Sequence, residues 1–579
     1  MPRPSHDVPE TTHLLAPSSS SSPPSPSSPF SARSSRYARP TLSQLDRALL
    51  FASIFLASYA YGLESQVRST YQPYATSAFG LHSSLATLNV LRGVVAAASQ
   101  PTASKLADVF GRTRVLVAST ALYVLGLAVE AVAGSVVMFC AGAVVYQFGY
   151  TCIVLLMEVL VADYSSMRAR VFFSYLPALP FLINTWVSGL VTEAVLDHAT
   201  WRLGIGMWAV IYPLCTMPLL IVLWSIERRP RKGVSDDDDF KTPLEVDGLR
   251  KTLSDLFHQL DVVGLVTLMA AFSLILAPLT RAGGTIDHWR DPAIVTSLVL
   301  GVMCIPAFIL WERNGARVPL VPFHLLRDRG VWASLAVRSL LNFAWYTQGN
   351  FLYTILIVGF DFPIEHATQI LSFFSFFGVF SGVAVGLVIY KIRRLKFIII
   401  TGTFLFMGAF WLLILFPGGA SVSSKHGMMA AQVLLGLSGG LFAYPTQASI
   451  QASASKEHVA VLTGLYLAVY NVGSALGTCL AGAIWTQTLY PTLEANLAFQ
   501  PNTTLAAAVY DAPFSVVGQY PAGTEIRDAI MDSYAHVQRL MCGAGLALCV
   551  PMIGFAFALR NPRLTDHQVQ PEVEADVRR

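Results

Sequence analysis

Charge is what this chain has least of. Only 13% of its 579 residues are Asp, Glu, Lys or Arg, about half the share of a typical soluble domain. Apolar residues make up 54%, and several apolar runs exceed the ~18 residues that separate a bilayer span from a buried core helix. A soluble protein is excluded. Cysteine is also scarce: Cys140, Cys152, Cys215, Cys304, Cys479, Cys542 and Cys549 all lie inside apolar segments, without a CxxC or a loop pattern. They read as small packing residues rather than disulfide partners or metal ligands. No His/Cys/Asp/Glu cluster has ligand spacing, so neither a metal site nor a cofactor is expected. The absence of a P-loop argues against an ATP-driven pump, and no nucleophile–base arrangement points to an enzyme. No cleavable signal peptide opens the chain, and no nucleic-acid partner is expected.

Helix-length apolar sequence is what the chain has instead. Residues 1–46 are rich in Ser and Pro and are expected to form a disordered cytoplasmic tail. Fourteen apolar runs follow, near 48–68, 85–104, 114–133, 136–161, 171–192, 203–226, 260–280, 292–311, 335–358, 367–389, 396–416, 428–449, 459–486 and 540–559. The fold class is therefore an all-α polytopic membrane protein with 14 transmembrane helices. With the amino-terminal tail inside, the inner loops hold 21 Lys and Arg and the outer loops 7, the bias that sets orientation. An even number of spans leaves both termini cytoplasmic. The sequon Asn502-Thr503-Thr504 falls in the outer loop 487–539, where glycosylation is feasible.

Between the second and third runs stands Ser104-Lys105-Leu106-Ala107-Asp108-Val109-Phe110-Gly111-Arg112-Thr113-Arg114. So short a loop forces a helical hairpin, with Gly111 supplying the permissive turn. Asp108 among three cations is able to lock to a neighbouring helix in one conformation and release in another; a basic topological anchor is the plainer role. The run resembles the signature loop of the major facilitator superfamily, whose inner gate is matched by Leu106, Ala107, Asp108, Gly111 and Arg112. Ser104 replaces the usual first glycine, Tyr390–Arg394 is a degenerate second copy, and the usual fourth-helix arginine is absent from Val144–Gly149.

Further stretches narrow the resemblance. Tyr61–Thr76, Pro177–Gly189, Gly464–Gln487 and the segment from Tyr520 to Leu540 are similar to the fungal siderophore iron transporter family, a likeness running from about Leu49 to Leu559. It implies two six-helix bundles (47–226 and 335–559), two extra transmembrane helices (260–311), cytoplasmic linkers at 227–259 and 312–334, and a cytoplasmic tail at 560–579. It further implies proton-coupled uptake of a ferric siderophore, with the hydroxamate type preferred and other types left open; a monomer in the plasma membrane or endosomal vesicles is expected. Iron arrives already wrapped in ligand oxygens, so the carrier needs a wide cavity with polar groups and aromatic faces. The candidates are Tyr71, Tyr74, Asn184, Trp186, Trp345, Tyr346, Gln348, Tyr353, Tyr444, Gln447, Tyr466, Tyr470, Asn471, Trp485 and Gln487, with Tyr520 as the contact from the outer loop.

Ionisable groups within spans are costly and face cavities or partners. Glu64 and Arg92 lie at similar depth, so a Glu64–Arg92 pair is expected; its breaking by protonation would couple proton entry to reorientation, and a purely structural pair is the equal alternative. Glu130, Glu193, Glu158 and Asp163, nearer helix ends, are secondary candidates. Two other readings stay open: a fourteen-span proton antiporter exporting drugs or thiol conjugates, and a non-transporting nutrient sensor. The antiporter's Gly/Pro-rich fifth-span signature is absent, and the tail after Leu559 has only twenty residues, short for a sensor's signalling extension.

Overall fold

The computed structural model describes residues 43–164, 176–228, 250–251, 254–281, 289–317, 325–392, 394–452, 459–500 and 504–561. The Ser/Pro tail, Arg168, Arg170, most of the 227–259 linker, Asn502, the carboxy-terminal tail beyond 561 and the Asp108 side chain lie outside the described residues. A chain in lipid has to satisfy its backbone internally, and here it does so as helix.

The first half holds α1 (Gln44–Ala78), α2 (Ser84–Phe110), α3 (Arg112–Val132), α4 (Val136–Tyr164), α5 (Pro180–His198), α6 (Trp201–Gly206) and α7 (Trp208–Glu227). Next come α8 (Val262–Arg281) and α9 (Pro292–Asn314). The second half holds α10 (Arg329–Gly349), α11 (Leu352–Val358), α12 (Ile364–Ile392), α13 (Lys396–Leu415), α14 (Val422–Ala452), α15 (Val459–Asn496), α16 (Leu505–Asp511), α17 (Pro513–Val517) and α18 (Glu525–Ala558). No strand occurs among the described residues. Within the described residues each apolar run falls on this helical framework, with α6–α7 and α10–α11 each sharing one run. Among the described residues, 11 helices are long and apolar enough to cross a membrane. The runs in α2, α5 and α10 fall short of that measure, and α2 and α10 are two of the helices that carry polar groups inward.

Several helices outrun their apolar stretches. A capping box between Ser43 and Asp46 starts α1, which continues to Ala78; α15 reaches Asn496 and α18 begins at Glu525. Much of the expected loop 487–539 is therefore helical. Apolar runs mark the lipid-buried length, whereas a helix stabilised by neighbours continues past it.

The halves meet along two seams, α2 against α15 and α5 against α12. Helix α8 packs on α9, α2 and α15, outside both bundles, and Val266, Val299 and Met303 of α8 and α9 stay exposed. Within the second half, α15 lies close on α10 because Gly473 and Gly477 present no side chain there. A Cβ on Gly477 would meet the Tyr346 Cβ at 2.8 Å and the Thr347 nitrogen at 3.1 Å. Replacing Gly477 by Val is expected to lower stability by about 1–3 kcal/mol, as overpacking does. The thermal midpoint of the purified protein measures this; an unchanged midpoint would contradict the close packing.

Candidate functional site

Polar side chains from both halves enclose a cavity of about 650 Å³, within the roughly 300–1,000 Å³ usual for small-molecule sites. Asn89, Arg92, Ala96 and Gln100 of α2 line it at three- and four-residue spacing, one face of the helix. Gln147, Thr151, Val154 and Glu158 do the same on α4, and Gln66 and Gln72 contribute from α1. The other half supplies Arg338, Asn342, Trp345 and Tyr346 from α10, Gln432, Tyr444 and Gln447 from α14, and Tyr470 and Asn471 from α15. Trp345 stacks on Phe374 at 4.5 Å between centroids, and the Tyr346 and Tyr470 hydroxyls are 3.4 Å apart. The wall thus offers hydrogen-bonding groups and aromatic faces together. Among the described residues no three His, Cys, Asp or Glu side chains gather to hold a metal ion.

Of the candidates read from sequence, Trp345, Tyr346, Tyr353, Tyr444, Gln447, Tyr470 and Asn471 line the cavity. The remainder lie elsewhere. Tyr71 is buried in the first half against Gly204. Asn184 donates to the Tyr59 carbonyl at 3.2 Å, and Tyr466 to the Ala443 carbonyl at 2.7 Å. Gln348 stands behind the wall, accepting from Gln432 at 3.2 Å. Trp186 is an exposed seam residue beside Phe373 and Phe376, Gln487 is exposed, and Tyr520 is half-buried at the cap away from the cavity. Aromatic and amide residues satisfy packing, seams and backbone caps as readily as a cavity, and residue type alone does not separate these uses.

Tyr74 and Trp485 belong to an aromatic seal across one end of the cavity. Tyr74 stacks on Phe514 of α17 at 4.4 Å and its hydroxyl lies 3.4 Å from that of Tyr353. Trp485 stacks on Phe351 at 3.9 Å. Buried among them is His82, whose Nε2 is 3.0 Å from the Thr354 hydroxyl of the other half and whose ring meets Phe351, Trp485 and Phe514. The 487–539 segment brings Phe514 and Tyr534 to the seal, the latter edge-on to Trp485 at 5.5 Å, and Tyr520 lies apart from it.

The expected Glu64–Arg92 pair is not made. Glu64 accepts a hydrogen bond from the Tyr146 hydroxyl at 2.6 Å and lies 3.8 Å from Arg68, one turn along α1. Arg68 forms a two-pronged pair with Glu130 of α3, its Nε donating at 3.1 Å, and its guanidinium sits 3.8 Å from the Tyr146 ring centroid. Glu64, Arg68 and Glu130 are all essentially inaccessible to solvent. Arg92 instead donates to Gln147 at 3.0 Å and Gln72 at 3.2 Å, and its guanidinium stands 5.8 Å from the Tyr146 ring centroid. Equal depth does not imply facing sides; the Glu64 carboxylate turns to the Tyr146 hydroxyl of α4, with Arg68 one turn along its own helix beside it.

The Major Facilitator Superfamily model matches residues 50–478. Siderophore iron transporter 1 of Saccharomyces cerevisiae is 40% identical over 535 residues, covering 92% of this chain and 83% of that protein. Siderophore iron transporter ARN1 of the same yeast is 37% identical, covering 90% and 82%. The chain belongs to the siderophore iron transporter family of the Major Facilitator Superfamily. It is a multi-pass membrane transporter and not an enzyme. Among solved structures, a bacterial homologue of the human lysosomal transporter Spinster, in an inward-facing and occupied conformation, shares the fold with a TM-score of 0.57 at 14% identity, over 91% of this chain and 100% of that one.

The superfamily's signature loop in this transporter turns at Gly111, with φ +90°, a value that L side chains disfavour. Arg112 beyond it donates to Asp163 at the end of α4 at 3.0 Å, and Thr113 donates to Glu227 at the end of α7 at 2.6 Å. The loop is thereby tied to two helix ends of its own half.

In this transporter, burial lowers His82 from its ordinary 6.5 to about 4, so its ring is neutral near pH 7. Its backbone N–H donates to the Asp511 carbonyl at 3.2 Å, and Thr76 and Thr354 are its side-chain partners. Protonation would put a charge among Phe351, Trp485 and Phe514, so the packing around His82 is at full strength above about pH 6.5 and weakens as pH falls toward about 4. Acidification across that window is expected to raise labelling of a Leu85→Cys variant by an impermeant thiol reagent, measured relative to free cysteine at the same pH. The rise should disappear in His82→Gln; an unchanged relative labelling would show that His82 does not control the seal.

Proposed function

We propose that this transporter takes up ferric siderophores of hydroxamate type, together with protons, by alternating access of the central cavity to the two sides of a fungal membrane. The observation that carries this reading is the cavity itself: about 650 Å³ between two helix bundles, walled by amides, tyrosines and Trp345, with two arginines and one glutamate. A ferric complex presents a polar rim and needs no protein ligand to its metal, and these walls suit such a rim. The named relatives, called siderophore iron transporters across more than four-fifths of their length, support the same cargo. The protein acts as a monomer with both termini cytoplasmic, in the plasma membrane or endosomal vesicles. The aromatic seal then faces the outside or vesicle lumen, and the Arg112–Asp163 end faces the cytosol.

Proton coupling is placed on the buried Glu64–Arg68–Glu130 cluster. One guanidinium balances one carboxylate, and a second carboxylate away from water calls for a proton. Tyr146 and Arg92 connect this cluster to the cavity wall, so proton loss alters the groups that meet the cargo. An inward proton contributes roughly 2.3 kcal/mol per 100 mV of membrane potential.

Radiolabelled ferric hydroxamate uptake into yeast cells lacking their own siderophore carriers tests the reading. Uptake is expected to depend on this chain, to rise with external acidity and to collapse with an uncoupler; uncoupler-insensitive uptake would remove the proton. Glu64→Gln is expected to reduce uptake about tenfold, about 1.4 kcal/mol, and to flatten its pH dependence. Normal acid-stimulated uptake in that variant would take Glu64 out of the mechanism.

A further inference from the structure

The cavity's charge is not balanced by its own walls. Three ionisable side chains of fixed sign line it: Arg92 on α2, Arg338 on α10 and Glu158 on α4. Arg92 rests on neutral amide oxygens of Gln147, Gln72 and Asn89. Arg338, on the opposite half, has its guanidinium 4.7 Å from the Tyr470 ring centroid and 5.4 Å from that of Tyr466. Its Nε is buried without a hydrogen-bond partner. Neither arginine makes an ion pair among the described residues, and Glu158 sits exposed near the far end of α4, paired with neither.

A guanidinium among membrane-spanning helices is costly without a counter-charge. Amides and aromatic faces stabilise it only in part, and the carboxylates whose charge reaches Arg92, Glu64 and Glu130, are themselves engaged by Arg68. Its planar fork of donors fits an oxyanion, most strongly a carboxylate bound through two parallel hydrogen bonds. We infer that Arg338 and Arg92 form an anion-recognition pair, one from each half, and that the preferred cargo is a ferric siderophore bearing a free carboxylate at its periphery. This rests on the cargo reading above and adds the charge that the site selects. Because the arginines belong to different halves, an anionic cargo bridging them couples binding to the relative position of the bundles. Glu158 on its own attracts a cationic complex, but the two arginines outnumber it and leave the wall net positive.

Two probes separate this from a charge-blind cavity: a ferric trihydroxamate carrying one free carboxylate, and its methyl ester, matched in size and metal. Isothermal titration of the full-length protein in detergent is expected to show the acid bound about tenfold tighter than the ester, the worth of a charged hydrogen-bonded contact. In Arg338→Gln the acid-to-ester ratio should fall toward one, whatever the absolute affinities, and Arg338→Lys should retain part of the preference. Equal affinities in the unaltered protein, or a ratio that survives Arg338→Gln, would overturn the inference while leaving the cargo reading in place. Binding of neither probe by the unaltered protein would overturn both. The unaltered protein's ratio decides the matter even where a variant fails to fold.

Discussion

Lipid offers a charged or hydrogen-bonding side chain nothing, and every polar group inside the spans must find its partner within the protein or in a cavity the protein encloses. This constraint organises the molecule. Glu64, Arg68 and Glu130 gather into one buried cluster capped by Tyr146. Arg92 turns to amides on its own helix and two others, and Arg338 to tyrosine faces on α15. The outer surface is left apolar: Val210, Leu214, Met217 and Ile221 form an exposed stripe along α7 at helical spacing. Polar groups drawn inward from two bundles produce a polar cavity between them, which is the property a carrier of a polar cargo requires.

The contacts that hold the halves together are of two kinds. Along the seams they are close helix approaches between small residues, as where Gly93 faces Ala475 and Gly482 faces Ala86. At the seal they are aromatic stacks and single hydroxyl bonds, Tyr74 to Tyr353 and His82 to Thr354. Individually these are weak, worth about 0.5–1.5 kcal/mol each. Several weak contacts together are stable when complete, and each one costs little to break.

Much of this was legible in the residues. The helical class followed from apolar runs and low charge, the family from several segments, and Gly111 as a turn residue from the permissiveness of glycine. The polar stripe Asn89–Arg92–Gln100 on α2 also carried a readable signal, since its spacing puts it on one face of an otherwise apolar helix. Choosing candidates by residue type rather than by such stripes missed Gln147, Gln432 and Arg338, and included Tyr71, Trp186 and Gln487. The Glu64–Arg92 pairing went wrong for a related reason: depth along a span is set by residue number, but the direction a side chain faces depends on how neighbouring helices are rotated.

Sequence by itself determined that the chain enters lipid repeatedly, that it belongs among siderophore iron transporters, and which residues sit at which height in each span. These are local properties, fixed by hydropathy, spacing and motif. Only the tertiary structure decided that Glu130 of α3 shares Arg68 with Glu64, that Phe514 from the 487–539 segment closes over Tyr74 and His82, and that the two cavity arginines come from opposite halves without carboxylate partners. Those facts arise from contacts between helices far apart in the chain, whose rotation and approach are set by packing of the whole bundle rather than by any one segment.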